Sequence, residues 1–103
     1  MMLLSVLYPS GADARFDQTY YLQKHIPLLK SRWQGMGLNA VQVLRGASAA
    51  GGGTAPYQVV TLLSFASHQD FQNCVAKHGK EIFADVANFT NVQPVVQLND
   101  PVG

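Results

Sequence analysis

Tyr21 and His25 stand four residues apart, one helical turn, in a stretch whose apolar residues recur at helical spacing. An imidazole exchanges protons near neutral pH, so a histidine at the margin of an apolar core can serve as a general base on an enclosed ligand. A phenol one turn away can orient that ring or contact the same ligand. A packed histidine beside a tyrosine has the same spacing, and the pattern does not separate the two. The other histidines are weaker candidates. His68 falls in the first turn of a second helix, and His78, next to Gly79, sits where a cation would favour a helix C-terminus. Cys74 has Phe71, Val75 and His78 as helical neighbours, the setting of a small buried apolar residue rather than of a nucleophile.

Other chemistries leave no trace. No glycine-rich loop leads to a phosphate-binding lysine, no Cys and His spacing fits zinc, and no two carboxylates are paired for glycoside chemistry. The expectation is no metal and no cofactor. Seven lysines and arginines against six acids give a net charge of +1, and the basic residues are scattered, so no stripe offers counterion release from nucleic acid. The apolar opening Met1 to Tyr8 is far too short to cross a membrane and has no charged leader in front of it. With one cysteine and no internal disulfide available, a cytoplasmic location is expected.

The elements that must position Tyr21 and His25 follow from the patterning. Met1 to Tyr8 is a strand ended by Pro9, Ser10, Gly11 and Asp13. Asp17 is an N-cap, and from there to Trp33 the helical period places Leu22, Ile26, Leu29 and Trp33 on one buried stripe. Tyr21, His25, Leu28 and Arg32 form a second stripe at the margin of the first. Pro27 cannot donate to the carbonyl of Gln23, so a kink or restart is predicted between His25 and Leu28. Gly35 and Gly37 end the helix. Leu38 to Arg45 is a second strand, Gly46 to Pro56 a loop with three glycines in a row, and Tyr57 to Phe65 a third strand. Ser67 with Asp70 caps a second helix carrying Phe71, Val75, His78 and Ile82, interrupted at Gly79 and ending near Asn88. Val92 to Leu98 closes the chain as a fourth strand, with Pro94 indicating an edge or bulge.

The order βαββαβ predicts an α+β fold of the ferredoxin-like type over residues 1–103, a single sheet with both helices on one face. Strands one and three are apolar at nearly every position, whereas a sheet with one wet face should alternate. Only 13% of the residues are charged and 48% are hydrophobic, and no segment remains to cover the open face. A second copy of the chain is the expected cover, which makes a homodimer.

The run Phe16-Asp17-Gln18-Thr19-Tyr20-Tyr21-Leu22-Gln23-Lys24-His25-Ile26-Pro27-Leu28 resembles the signature of the EthD family, small proteins found with ethyl tert-butyl ether degradation systems. The stretch Ala84-Asp85-Val86-Ala87-Asn88-Phe89-Thr90 is similar to the segment before that family's last strand. The resemblance covers essentially the whole chain. It implies a dimeric α/β barrel, two ferredoxin-like sheets packed face to face, and it favours Tyr21 and His25 as cleft residues, the catalytic candidates. Wider relatives include cofactor-free monooxygenases, lactone isomerases, polyketide cyclases and haem enzymes, so fold underdetermines chemistry. Haem is set aside because so small a domain offers it little room. Tyr8, Phe65 and Phe89 are the aromatic residues expected to wall a ligand cleft between the first helix and the sheet. Two functions follow. In one, a small apolar or aromatic metabolite is bound and His25 with Tyr21 performs acid-base chemistry on it. In the other, the protein is a non-catalytic accessory or carrier of an oxidising system.

Overall fold

The computed structural model describes residues 1–103. Strand β1 (Met2–Pro9) leads to a short helix α1 (Gln18–Tyr20), a π-helical turn (Tyr21–His25) and helix α2 (Ile26–Trp33), which tightens into a 3-10 turn at Gln34–Met36. Strands β2 (Leu38–Arg45) and β3 (Tyr57–Phe65) follow, then helix α3 (His68–Ala84), a 3-10 turn (Asp85–Asn88) and strand β4 (Val95–Asn99). The sheet order is β2-β3-β1-β4, every neighbouring pair antiparallel. This is the ferredoxin-like order, and β4, with Pro94 immediately before it, is an edge strand starting three residues later than its sequence pattern predicts.

The caps form as their residue types require. Asp17 accepts from the Tyr20 N–H at 3.0 Å and Ser67 from that of Asp70 at 3.1 Å, each satisfying an orphan donor of a first turn. Gly37 has φ 108°, and a Cβ there would lie 2.6 Å from the Asp70 carboxylate, so only glycine lets the chain turn into β2 against that side chain.

One face of the sheet and the inner faces of the helices make the core. Met2, Leu4, Leu38, Leu63 and Phe65 pack with Leu29, Trp33, Cys74 and Ile82, while Tyr8, Val59, Tyr21, Ile26 and Phe89 form a second cluster. A fully buried side chain of this kind contributes about 1.5–3 kcal/mol. Gly79 does not interrupt α3. The helix runs through it to Ala84, and its missing Cβ leaves room for Val75 and Phe83, whose atoms a methyl would meet at 3.0 and 3.3 Å.

The first helical segment differs from its predicted phase. Leu22, placed on the buried stripe, is 53% exposed, whereas Tyr21 and His25, placed at the margin, are 2% and 3% exposed. The cause is the π-helical turn: the Ile26 N–H reaches back five residues to the Tyr21 carbonyl. One extra residue is thereby accommodated, so everything upstream of Ile26 rotates by about 100° against the downstream helix. Pro27, with no N–H to give, adjoins that turn and sits in the first turn of α2.

The helix-free face is less uniformly apolar than the strand runs suggest. Register aligns Leu44, Val60, Leu7 and Val95 in one apolar row across the sheet, and beside it Gln42, Leu62, Ser5 and Gln97 in a mixed one. Within one chain β1 is buried on its helix side and only half-buried on the other.

Candidate functional site

Between the sheet and the helices lies a cavity of about 200 Å³. The sheet contributes Leu4, Val6, Tyr8, Thr61, Leu63 and Val96, the first helical segment Tyr21, His25, Leu29 and Trp33, and the region of α3 supplies Phe71, Ile82, Phe83 and Val86. Its polar groups gather at the end formed by Tyr8, Thr61, Tyr21 and His25. The one other polar side chain, Trp33, spends its Nε1–H on the Cys74 carbonyl at 3.1 Å.

His25 is held from behind. Its Nδ1 lies 2.9 Å from Oδ2 of Asp85, whose other oxygen accepts from the Tyr20 hydroxyl at 2.7 Å and from Nδ2 of Asn88 at 2.9 Å. Burial works against ionisation of Asp85, but the hydrogen bonds from Tyr20, Asn88 and His25 outweigh it and hold the carboxyl below its usual range. An ionised carboxylate only accepts, so Nδ1 of His25 must be the donor. Burial lowers the pKa of the imidazole, and Asp85 offsets this only in part. At neutral pH the ring is therefore neutral, protonated on Nδ1, with a bare lone pair on Nε2. No side-chain nitrogen or oxygen is both fully enclosed and without a hydrogen-bond partner. Nε2 has no such partner, so it keeps accessible surface, and the ring to which it belongs lines the cavity.

The ring orientation is fixed by packing as well. Tyr21 stacks on His25 with centroids 5.3 Å apart and planes 15° from parallel, and Phe89 tilts against both at 4.6 and 4.8 Å. The Tyr21 and Thr61 hydroxyls are 2.6 Å apart. Burial raises the Tyr21 phenol, although Thr61 and Tyr8 partly counter it, and burial with the neighbouring Tyr21 raises that of Tyr8 further. Both phenols thus stay protonated as donors. The arrangement can take a proton at Nε2 and steady an oxygen with a hydroxyl on the adjacent wall.

Tyr8, Tyr21 and His25 meet at this cavity, whereas Phe89, expected as one of its walls, does not line it and packs instead against the two stacked rings. Phe65 lies elsewhere. Paired with Met2 and Leu38 at the far end of β3, it packs on Trp33 and Phe71 and does not line the cavity. Two residues that complete the site escape a reading by periodicity. Thr61 leaves a signal, the one polar residue on the inward series Val59, Thr61, Leu63 and Phe65. Asp85 leaves none in spacing, since it is 60 residues from His25. No group of three or more His, Cys, Asp or Glu side chains is arranged to hold a metal ion, and no helix is long and apolar enough to cross a membrane.

The His25 pKa carries a stability consequence. Folded His25 titrates below its ordinary value of 6.5, so between the two values the unfolded chain binds a proton that the fold refuses. The stabilisation is complete above about pH 6.5 and is lost as pH falls through the folded value. Asp85, also lowered, adds a loss in the same direction at more acid pH. The urea midpoint should fall on acidification from pH 7 toward 5, and a proton NMR titration should place His25 below 6.5. A His25 midpoint above that value would contradict the burial argument.

A ferredoxin-like α+β layer with a mostly apolar cavity between helices and sheet defines the chain's class. The EthD domain matches residues 9–93. The chain belongs to the EthD family. It is similar to a crystal structure of an EthD-like protein from Ralstonia eutropha, with 31% identity, TM-score 0.89, and coverage of 96% of this chain and 89% of that one. An ethyl tert-butyl ether degradation (EthD) family protein from Bacillus halodurans is 19% identical, with TM-score 0.76 and 99% of each chain covered. SnoaB, a cofactor-independent oxygenase from Streptomyces nogalater, shares the fold at 10% identity and TM-score 0.65, with 99% of this chain and 92% of that chain covered. No curated protein matches the chain.

Proposed function

We propose that this EthD protein is a homodimer that captures a small apolar or aromatic metabolite between its helices and sheet and moves a proton on it, with His25 as base and Tyr21 in support, without a cofactor. The observation that carries the reading is the Asp85-clamped imidazole whose ring lines an apolar cavity. A carrier of an apolar ligand has no need of an oriented, neutral base, so the clamp favours chemistry over an accessory role. The cofactor-independent oxygenase SnoaB, on the same fold, is consistent with this. A buried free Cys74 suits a reducing, cytoplasmic setting.

The dimer is supported by shape. Only 18 of 103 residues are buried, and the accessible surface is 6255 Å², about a tenth above the roughly 5,700 Å² expected for a monomer of this mass. The slab is 19 Å thick against 39 and 35 Å across, with the row Leu44, Val60, Leu7 and Val95 on its open face. Apolar surface packed there contributes about 25 cal/mol per Å².

The test is a thermal-shift survey of small neutral aromatics on the native protein and on His25→Gln, with sedimentation of both. A ligand stabilises the fold by mass action. The expected result is a dimer in each case, ligand-induced stabilisation of the native protein, and turnover of the bound compound lost in the variant. Turnover undiminished in His25→Gln would remove the base from the mechanism, and a monomer at micromolar concentration would remove the dimer.

A further inference from the structure

The cavity's donors and acceptors can be counted. One acceptor, Nε2 of His25, has no hydrogen-bond partner in the fold and is not fully enclosed. Tyr8, Tyr21 and Thr61 bring three hydroxyl protons. The Tyr21–Thr61 bond uses one of them, and a contact between Tyr8 and Tyr21 uses at most one more. At least one hydroxyl proton therefore remains for a ligand. None of the lining residues is Lys, Arg, Asp or Glu. An anion would enter without a counter-charge, and burying one unpaired costs far more than apolar contact returns. Size limits the choice further. An apolar cavity of about 150 Å³ takes benzene, so about 200 Å³ takes one ring with a short substituent.

We infer that the cavity selects neutral single-ring phenols, the ring against the apolar wall, the hydroxyl proton donated to Nε2 of His25 and the phenol oxygen accepting from a wall hydroxyl. This rests on the reading of the cavity as a ligand site. It goes further by excluding two classes. A carboxylate meets no cation, and an ether offers only acceptors, leaving the Nε2 lone pair desolvated and unpaired, the asymmetry that makes a lost partner expensive. Ethers as such are therefore poor ligands, and hydroxylated aromatic compounds are the class to expect.

The experiment measures binding of phenol, anisole and benzoate to the native protein at pH 7.5 by calorimetry or ligand-observed NMR, and repeats it with His25→Phe. Anisole differs from phenol by masking the donor, and benzoate by carrying the charge. The expected result is phenol bound about tenfold or more tighter than anisole, no detectable benzoate, and a phenol preference that disappears in His25→Phe. Should that variant fail to fold, the native protein gives the same test by pH. Protonation of His25 turns Nε2 into a donor, so the phenol-to-anisole ratio must fall as the solution is acidified. Phenol and anisole within twofold of each other, benzoate bound as well as phenol, or a preference that survives in His25→Phe or is unchanged by acid overturns the inference while leaving a ligand cavity. Binding of none of the three overturns the ligand site itself.

Discussion

Phe89→Ala is expected to cost about 3–5 kcal/mol of stability, the range for a buried phenylalanine truncated without collapse of the site. Phe89 is where the aromatic side chains converge. Its ring meets those of Tyr8, Phe16, Tyr20, Tyr21 and His25 at centroid distances between 4.6 and 6.5 Å. Its carbonyl accepts from the Asp17 N–H at 2.8 Å, next to the isolated Phe16–Thr90 bridge, so the same residue ties the entrance of the first helical segment to the end of α3. A domain of this length has roughly 5–15 kcal/mol in total, and at about 4–8 °C per kcal/mol the melting temperature should fall by about 12–40 °C. Phe89→Leu keeps most of the apolar volume and should lose less than half as much. Calorimetry or urea unfolding measures both. A loss below about 1 kcal/mol for the alanine variant would mean that the stacked pair Tyr21 and His25 stands without this support.

Asp85→Ala should have a smaller effect on folding and a large one on the site. Three donors lose their acceptor: the Tyr20 hydroxyl, the Asn88 amide and Nδ1 of His25. Because Asp85 is half-buried and water can replace part of what is lost, the stability cost is about 1–3 kcal/mol. The tautomer lock goes entirely. With nothing to hold the proton on Nδ1, it distributes between the ring nitrogens, and Nε2 is no longer a fixed acceptor. The phenol-to-anisole ratio should then collapse to about twofold, and any turnover that depends on His25 should fall by about 10²–10⁴. Nitrogen NMR of the imidazole reads the tautomer directly. The His25 midpoint should also move to still lower pH, since Asp85 is the influence that raises it against burial. An unchanged tautomer and unchanged ligand ratio would show that packing against Tyr21 and Phe89 orients the ring without the carboxylate.

The sheet and the caps were legible because their causes are local. Strand runs between turn residues, Asp17 and Ser67 ahead of helices, and Pro94 before an edge strand each act within a few residues of themselves. The phase of the first helical segment was not. Pro27 announced a disturbance, but α-helical spacing carries no record that it would be absorbed as a π-helical turn, and so Leu22 and Tyr21 exchanged environments. The cavity was legible at Tyr21 and His25 and only half so at its back wall. Asp85 reaches His25 through the tertiary fold, and the family-like stretch from Ala84 to Thr90 drew attention to its neighbourhood without giving it a role. Phe65 is as aromatic and as buried as Phe89, and composition could not tell that one faces Trp33 and the other His25.

The π-helical turn also decides what kind of genetic change this protein tolerates. Leu22, Gln23 and Lys24, the residues between Tyr21 and His25, are all exposed, so a survey of point substitutions would score them as neutral and pass over the segment. Deleting any one of them is a different event. It removes the residue that the wide turn exists to hold, returns the backbone to ordinary α-helical spacing, and swings Tyr21 about 100° away from Thr61 while His25 stays with α2. Sensitivity at these positions thus lies in chain length rather than in side-chain identity.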